Sequence, residues 1–152
     1  MSQDFQPRDP DFRRRTSDIF DGATFMRHLG ARLEEIAPGE CWTSLAVGGM
    51  HLQQDGFVHA GVQAALADHT AGCAAATLMA ADQNVLTVEF KINLLRPASG
   101  ETLECKAVVL RAGSSLTVAE SELHALRRGE RRLVSKATVT LAFIDAGRKP
   151  GR

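Results

Sequence analysis

The chain has 152 residues, 44% of them hydrophobic, which suits one compact domain with an apolar core and leaves no need for a second. Eighteen Lys and Arg balance eighteen Asp and Glu, so the positive field of a nucleic-acid-binding protein is absent. The three cysteines, Cys41, Cys73 and Cys105, are odd in number, far apart and without a CxxC pair. That argues against a disulfide framework and a zinc site, and reduced thiols in the cytoplasm are the simpler account.

Residues 1–20 carry arginines with no apolar run behind them, so they read as a polar N-terminal arm and not as a secretory signal. Over residues 23–36, Phe25, Met26, Leu29, Leu33 and Ile36 recur near the helical period, and Pro38-Gly39 stops the run, which predicts a short opening helix. A strand is expected over residues 41–47, followed by a loop rich in Gly, His and Gln. A long alanine-rich helix then runs from Ala60 to about Ala80. It is long enough to cross a bilayer, but Gln63, Asp68, His69 and two threonines argue against a membrane span.

Beyond Asn84 the period becomes two. Leu86, Val88, Phe90, Ile92 and Leu94 alternate with Thr87, Glu89, Lys91 and Asn93, the mark of a strand with one buried face. Three more strands are expected over residues 103–111, 116–126 and 133–144, joined by short turns that imply antiparallel hairpins. The domain therefore spans residues 21–145, with a flexible tail over 146–152. The pattern is α+β: one antiparallel sheet of five to six strands against one dominant helix.

On that helix Gln63, Thr70 and Thr77 are seven apart and form a single polar stripe, where a solvated acid would belong. Asp68 projects roughly 160° away from Thr70, onto a face made by Gly61, Ala64, Gly72, Ala75 and Met79. Small neighbours let a backbone, a second subunit or a substrate come close, which would partly desolvate the carboxylate. The competing reading is a half-covered helix whose Asp68 is an ordinary solvated residue.

The segment Gln53-Gln54-Asp55-Gly56-Phe57-Val58-His59-Ala60-Gly61, with Ala64-Ala65-Leu66-Ala67-Asp68 after it, resembles the hotdog-fold thioesterases of the phenylacetic-acid-degradation type and their 4-hydroxybenzoyl-CoA relatives. That family's motif is a His-Gly-Gly opening the central helix with an Asp or Glu nine residues after the His, the interval from His59 to Asp68 here. The run from Leu86 through Arg96-Pro97-Ala98-Ser99-Gly100 resembles the family's second strand and turn, and the likeness extends from Phe25 to Ile144. One departure is Ala60, which stands where the commoner motif has its first glycine.

The resemblance implies a hotdog fold, with the sheet wrapped around the central helix, and hydrolysis of an acyl-CoA thioester to free acid and CoA. Asp68 would be the general base or the nucleophile, and the N–H groups of Ala60 and Gly61 would polarise the thioester oxygen. Gln53, at a position where relatives carry Asn or Gln, would bind the thioester or departing sulfur, His59 would orient the loop, and Thr87 would position water. The chain would act as a homo-oligomer, a dimer or a dimer of dimers, with each site shared between subunits. Coenzyme A is then part of the substrate, and no separate cofactor or metal is called for.

For the coenzyme's phosphates, Arg111, Gly113, Ser114 and Ser115 in one inter-strand turn offer a cation, hydroxyls and backbone N–H groups. A second group, Arg127, Arg128, Arg131 and Arg132, surrounds Gly129 at another hairpin tip, where charge is usually just solvated. Two other readings stand beside hydrolysis: a hotdog hydratase or dehydratase, which relies on a catalytic His with an acid, and a non-catalytic acyl-CoA-binding oligomer.

Overall fold

The protein's computed structural model describes residues 4–147. Six strands form one antiparallel sheet in the order β1-β2-β4-β5-β6-β3. They are β1 (Ala31–Ala37), β2 (Glu40–Ala46), β3 (Gln83–Leu94), β4 (Thr102–Ala112), β5 (Leu116–Arg127) and β6 (Glu130–Asp145). The sheet wraps α3 (Ala60–Ala76), and two short helices, α1 (Phe12–Gly22) and α2 (Thr24–Leu29), precede it. The fold class read from the sequence holds, with six strands.

Alanine is what lets the sheet close on the helix. Ala67, Ala71, Ala74 and Ala75 are buried, and their small side chains bring α3 near the leucines and valines of the inner sheet face, Leu45, Leu103, Leu123 and Val139 among them. In β4, β5 and β6 alternate residues are buried, as a sheet with one covered face requires.

The opening helix expected over residues 23–36 is correct only as far as Leu29. Gly30 takes a left-handed conformation (φ 80°) that ends α2, and β1 follows. A bulge between Leu33 and Glu35 adds a residue to β1, so Leu33 and Ile36, three apart, both pack towards the core. That spacing imitates a helix.

The polar arm expected over residues 1–20 is, from residue 4, part of the folded domain. Phe20 and Thr16 of α1 are buried. Arg8 Nε donates to Leu78 O (2.7 Å), and Arg15 donates to Ala80 O and Gln83 O (both 2.9 Å) while pairing with Asp9. Cations are favoured there because carbonyls at and beyond a helix C-terminus lack intrahelical partners. Of the tail expected over residues 146–152, Ala146 N still donates to Asp82 O (2.7 Å), and 148–152 lie outside the described residues.

The polarity assigned to α3 is reversed. Gln63, Thr70 and Thr77 are buried, not solvated. Thr70 Oγ1 donates to Leu66 O (2.6 Å) and meets Thr43 Oγ1 (2.7 Å), Thr77 Oγ1 donates to Ala74 O (2.6 Å) and accepts from Gly39 N (2.7 Å), and Gln63 Nε2 donates to Val58 O (3.1 Å). Short polar side chains bonded to nearby carbonyls enter a core at little cost. The strip that the sheet leaves uncovered is the one with Ala64, Ala65, Asp68 and Gly72.

Candidate active site

A pinned loop delivers the chain into α3. His51 is buried; its Nδ1 accepts from Gly48 N (2.8 Å), so the proton sits on Nε2, which faces Leu29 O at 2.8 Å. His59 N donates to His51 O (2.8 Å) and Val58 N to Ala98 O (2.9 Å). His51 was invisible as a site-supporting residue in the sequence, where it is one more loop histidine.

His59 is the N-cap of α3, and its Nδ1 accepts from Gly61 N (2.9 Å). A Cβ on Gly61 would come within 3.0 Å of that nitrogen, so glycine makes room for the capping ring. This corrects one expectation: the Gly61 N–H already has an acceptor. The Ala60 N–H has none among the described residues and is exposed at the positive end of the helix. It shares a hollow of about 390 Å³ with Gln53, Gln63, Leu95 and Pro97. Gln53 Oε1 is turned back onto Asp55 N within its own loop.

Asp68 lies two turns further along α3. It is half-buried, and its carboxylate accepts from Thr87 Oγ1 at 2.8 Å. Thr87 stands next to a bulge, where the register with β6 shifts between Thr87 and Glu89. The pair opens on a second hollow of about 380 Å³ lined by Ile19, Ala23, His69, Gly72, Leu86 and Leu141. Burial pushes the His69 imidazole below its usual range, opposed by the neighbouring Asp68 charge, and its ring lies 5.1 Å from that of Phe20.

Within one chain the structure joins Asp68 to Thr87, and Ala60 to Gln53, but keeps the two pairs apart. Eight residues of helix separate Ala60 from Asp68, about 12 Å at 1.5 Å per residue. The turn with Arg111, Gly113, Ser114 and Ser115 lies at the opposite end of the sheet from Ala60, and there Gly113 N donates to Leu116 O and Ser115 O accepts from Phe143 N.

The strand β3 departs from its expected burial. Leu86, Val88, Phe90 and Leu94, predicted to face a core, are 43–59% exposed. Only β6 lies beside β3, which leaves its other edge and these side chains uncovered in a single chain.

One antiparallel sheet closed around a central helix is the hotdog fold, and an acid with a hydroxyl donor beside a cleft suits hydrolysis. The sequence profile of the thioesterase superfamily matches residues 55–131. A thioesterase family protein from Silicibacter pomeroyi is 37% identical, with 88% of this chain and 98% of that one covered and a TM-score of 0.87. A conserved protein from Pseudomonas aeruginosa is 28% identical over 80% of this chain and 94% of that one (TM-score 0.73). A phenylacetic acid degradation-related protein from Ralstonia eutropha, at 21% identity over 84% and 98% of the two chains (TM-score 0.73), shares the fold. No curated protein matches significantly. The chain belongs to the thioesterase superfamily, and its chemistry is that of a thioester hydrolase.

Proposed function

We propose that the protein hydrolyses acyl-CoA thioesters in the cytoplasm as a homodimer or dimer of dimers, with Asp68 as base or nucleophile. The observation that carries this reading is the Asp68–Thr87 hydrogen bond beside a hollow on the one uncovered strip of the helix. Thr87 occupies Oδ1, so Oδ2 is left to draw a proton from water or to attack the carbonyl carbon itself. The leaving thiolate needs little protonation, and the remaining requirement is a donor for the developing oxyanion.

That donor is the N–H of Ala60 of the partner subunit. If two β3 edges pair antiparallel about a two-fold axis, the axis must lie midway between Ala60 and Asp68 along the helix, about 6 Å from Asp68. Strand residues advance about 3.3 Å each, so the axis falls about two residues past Thr87, near Glu89. Glu89 is close to the middle of β3, where an axis pairing the strand with its own copy over its full length belongs. Helix spacing and strand length both support this reading of the dimer. Within it, His59 holds the loop by capping, and Gln53 and Gln63 line the wall near the thioester.

The test is thiol release from a panel of acyl-CoA esters by the native protein and Asp68→Asn. Loss of a base at this position lowers kcat by about 10²–10⁴-fold while substrate still binds. Full activity in the variant would refute the assignment; water addition to enoyl-CoA without thiol release would favour a hydratase, and binding without turnover in both proteins a scaffold.

A further inference from the structure

A hollow of about 530 Å³ opens beside the β5–β6 hairpin tip, and four arginines line it: Arg96, Arg127, Arg128 and Arg132. Facing them is one carboxylate, Glu130, which pairs with Arg132 at 3.0 Å. Arg96, Arg127 and Arg128 have no carboxylate within ion-pair distance among the described residues. Arg131, on the same hairpin, turns away to Glu104 (3.1 Å), and Glu101 reaches only the backbone N–H of Arg128 (3.2 Å). In a chain of zero formal charge, unpaired like charges gathered on one concavity repel each other and are stabilised by an anion.

Two further observations point the same way. Arg128 and Gly129 form a two-residue hairpin turn with φ of 50° and 81°, and among the described residues Arg128 is the one non-glycine residue with positive φ. Asn, Asp or Gly is preferred at such a position, so an arginine there is held against local preference. The Arg96 guanidinium is also fixed over the hollow, donating to Leu133 O at 3.0 Å. Arg96 and Pro97 line both this hollow and the one containing Ala60 and Gln53, so the two adjoin. Both lie at the sheet end where α3 begins, whereas the turn with Arg111 and Ser115 lies at the other end.

We infer that this arginine-lined hollow holds the phosphorylated adenosine end of the coenzyme A substrate, while the thioester lies at the adjoining Ala60 hollow. The inference rests on the acyl-CoA reading above. Guanidiniums offer paired donors suited to phosphate, and Pro97, Ala125 and Val134 give an apolar wall for a base.

Arg128→Asn is the decisive variant, because asparagine is favoured at the turn and the fold is retained. Expected for Arg128→Asn and Arg132→Gln are a roughly tenfold rise in KM for acyl-CoA with kcat unchanged, as loss of a charge-assisted contact used equally in both states predicts. The same acyl group on N-acetylcysteamine, which lacks the nucleotide, should be hydrolysed equally by the native protein and both variants, and Arg131→Gln should match the native protein on both esters. Adenosine 3′,5′-bisphosphate, followed by calorimetry, should bind the native protein and lose affinity in the variants. Equal losses on both esters, no change on either, or no binding of the bisphosphate would overturn the inference, including in favour of an acidic carrier protein at this surface. If no ester releases thiol, the hydrolase reading fails by itself, and calorimetry still decides the hollow.

Discussion

Replacing Ala60 by proline isolates the proposed oxyanion donor with little disturbance of the fold. Ala60 is the first residue of α3, a position that proline's φ suits and where no intrahelical bond is lost. The residue before a proline must be extended, and His59 already is, at φ −58° and ψ 139°. Its capping bond to Gly61 N does not involve the Ala60 N–H. Thermal stability should therefore hold or rise slightly, whereas loss of an oxyanion donor costs about 2.7–4 kcal/mol, about 10²–10³-fold in kcat. The stronger form of the test mixes two inactive chains, Ala60→Pro and Asp68→Asn. If each site takes Asp68 from one subunit and Ala60 from the other, the mixed dimer has one intact site and one doubly damaged. Random co-assembly makes half the dimers mixed, so about a quarter of native activity returns. Co-expression with two affinity tags and tandem purification isolate the mixed dimers, in which thiol release should reach about half of native activity. Purified mixed dimers no more active than their parents would refute the shared site.

Thr87→Val keeps shape and removes the hydroxyl that holds Asp68. Because Thr87 is exposed, the effect belongs near the lower end for a hydrogen bond to a charged group, about 1–1.5 kcal/mol, or about five- to tenfold in kcat with the melting temperature unchanged; an unaltered kcat would remove Thr87 from the mechanism. For His69, burial lowers the folded-state pKa below the unfolded 6.5, so the unfolded chain binds the proton more readily. Stability is then full above pH 6.5 and declines as pH falls towards the folded value. His69→Gln should flatten that part of the melting-temperature profile, and parallel profiles for the two proteins would show that His69 does not titrate across folding.

How much was readable in the sequence depended on whether local pattern and tertiary role agreed. β4, β5 and β6 were legible because one face of each is buried by the helix and the other is not. β3 was legible as a strand, but its alternation could not say that the apolar face is left exposed by the chain's own fold. β1 was hidden by its bulge. α1 was hidden because FRRRTSDIFDG has few apolar residues and packs largely through Phe20 and Thr16. On α3 the wheel failed because alanine gives no contrast and the buried polar residues are satisfied by carbonyls a turn away. The interval from His59 to Asp68 and the Thr87 position came from the family motif, and the structure places Asp68 and Thr87 in contact. The cysteines, far apart in sequence, lie together in the core. The neighbouring Cys73 thiol and burial push Cys41 up, and burial pushes Cys105 up to about 12, so these two are held as inert thiols.

The two edges of the sheet are not equivalent, and the difference bears on how the site is completed. β1 has seven residues, with Arg32, Glu34 and Glu35 and a bulge, the devices by which sheet edges avoid pairing with other chains. β3 has twelve residues and no proline, and it exposes Leu86, Val88, Phe90 and Leu94. Its own bulge falls beside Thr87, at the candidate base, and so does not shield the strand's length. An edge with that much apolar side chain in water is unfavourable for a lone chain, at about 25 cal/mol for each Å² left uncovered. In the proposed dimer, covering it with a second β3 would carry Ala60 of the partner subunit to the level of Asp68, because the strand's midpoint and the helix's midpoint between those residues nearly coincide. In the dimer proposed here, the contact that removes the exposed edge would therefore also supply the oxyanion donor. A single chain holds Asp68 and the Ala60 N–H about 12 Å apart along α3, which is why the proposed site draws on two subunits.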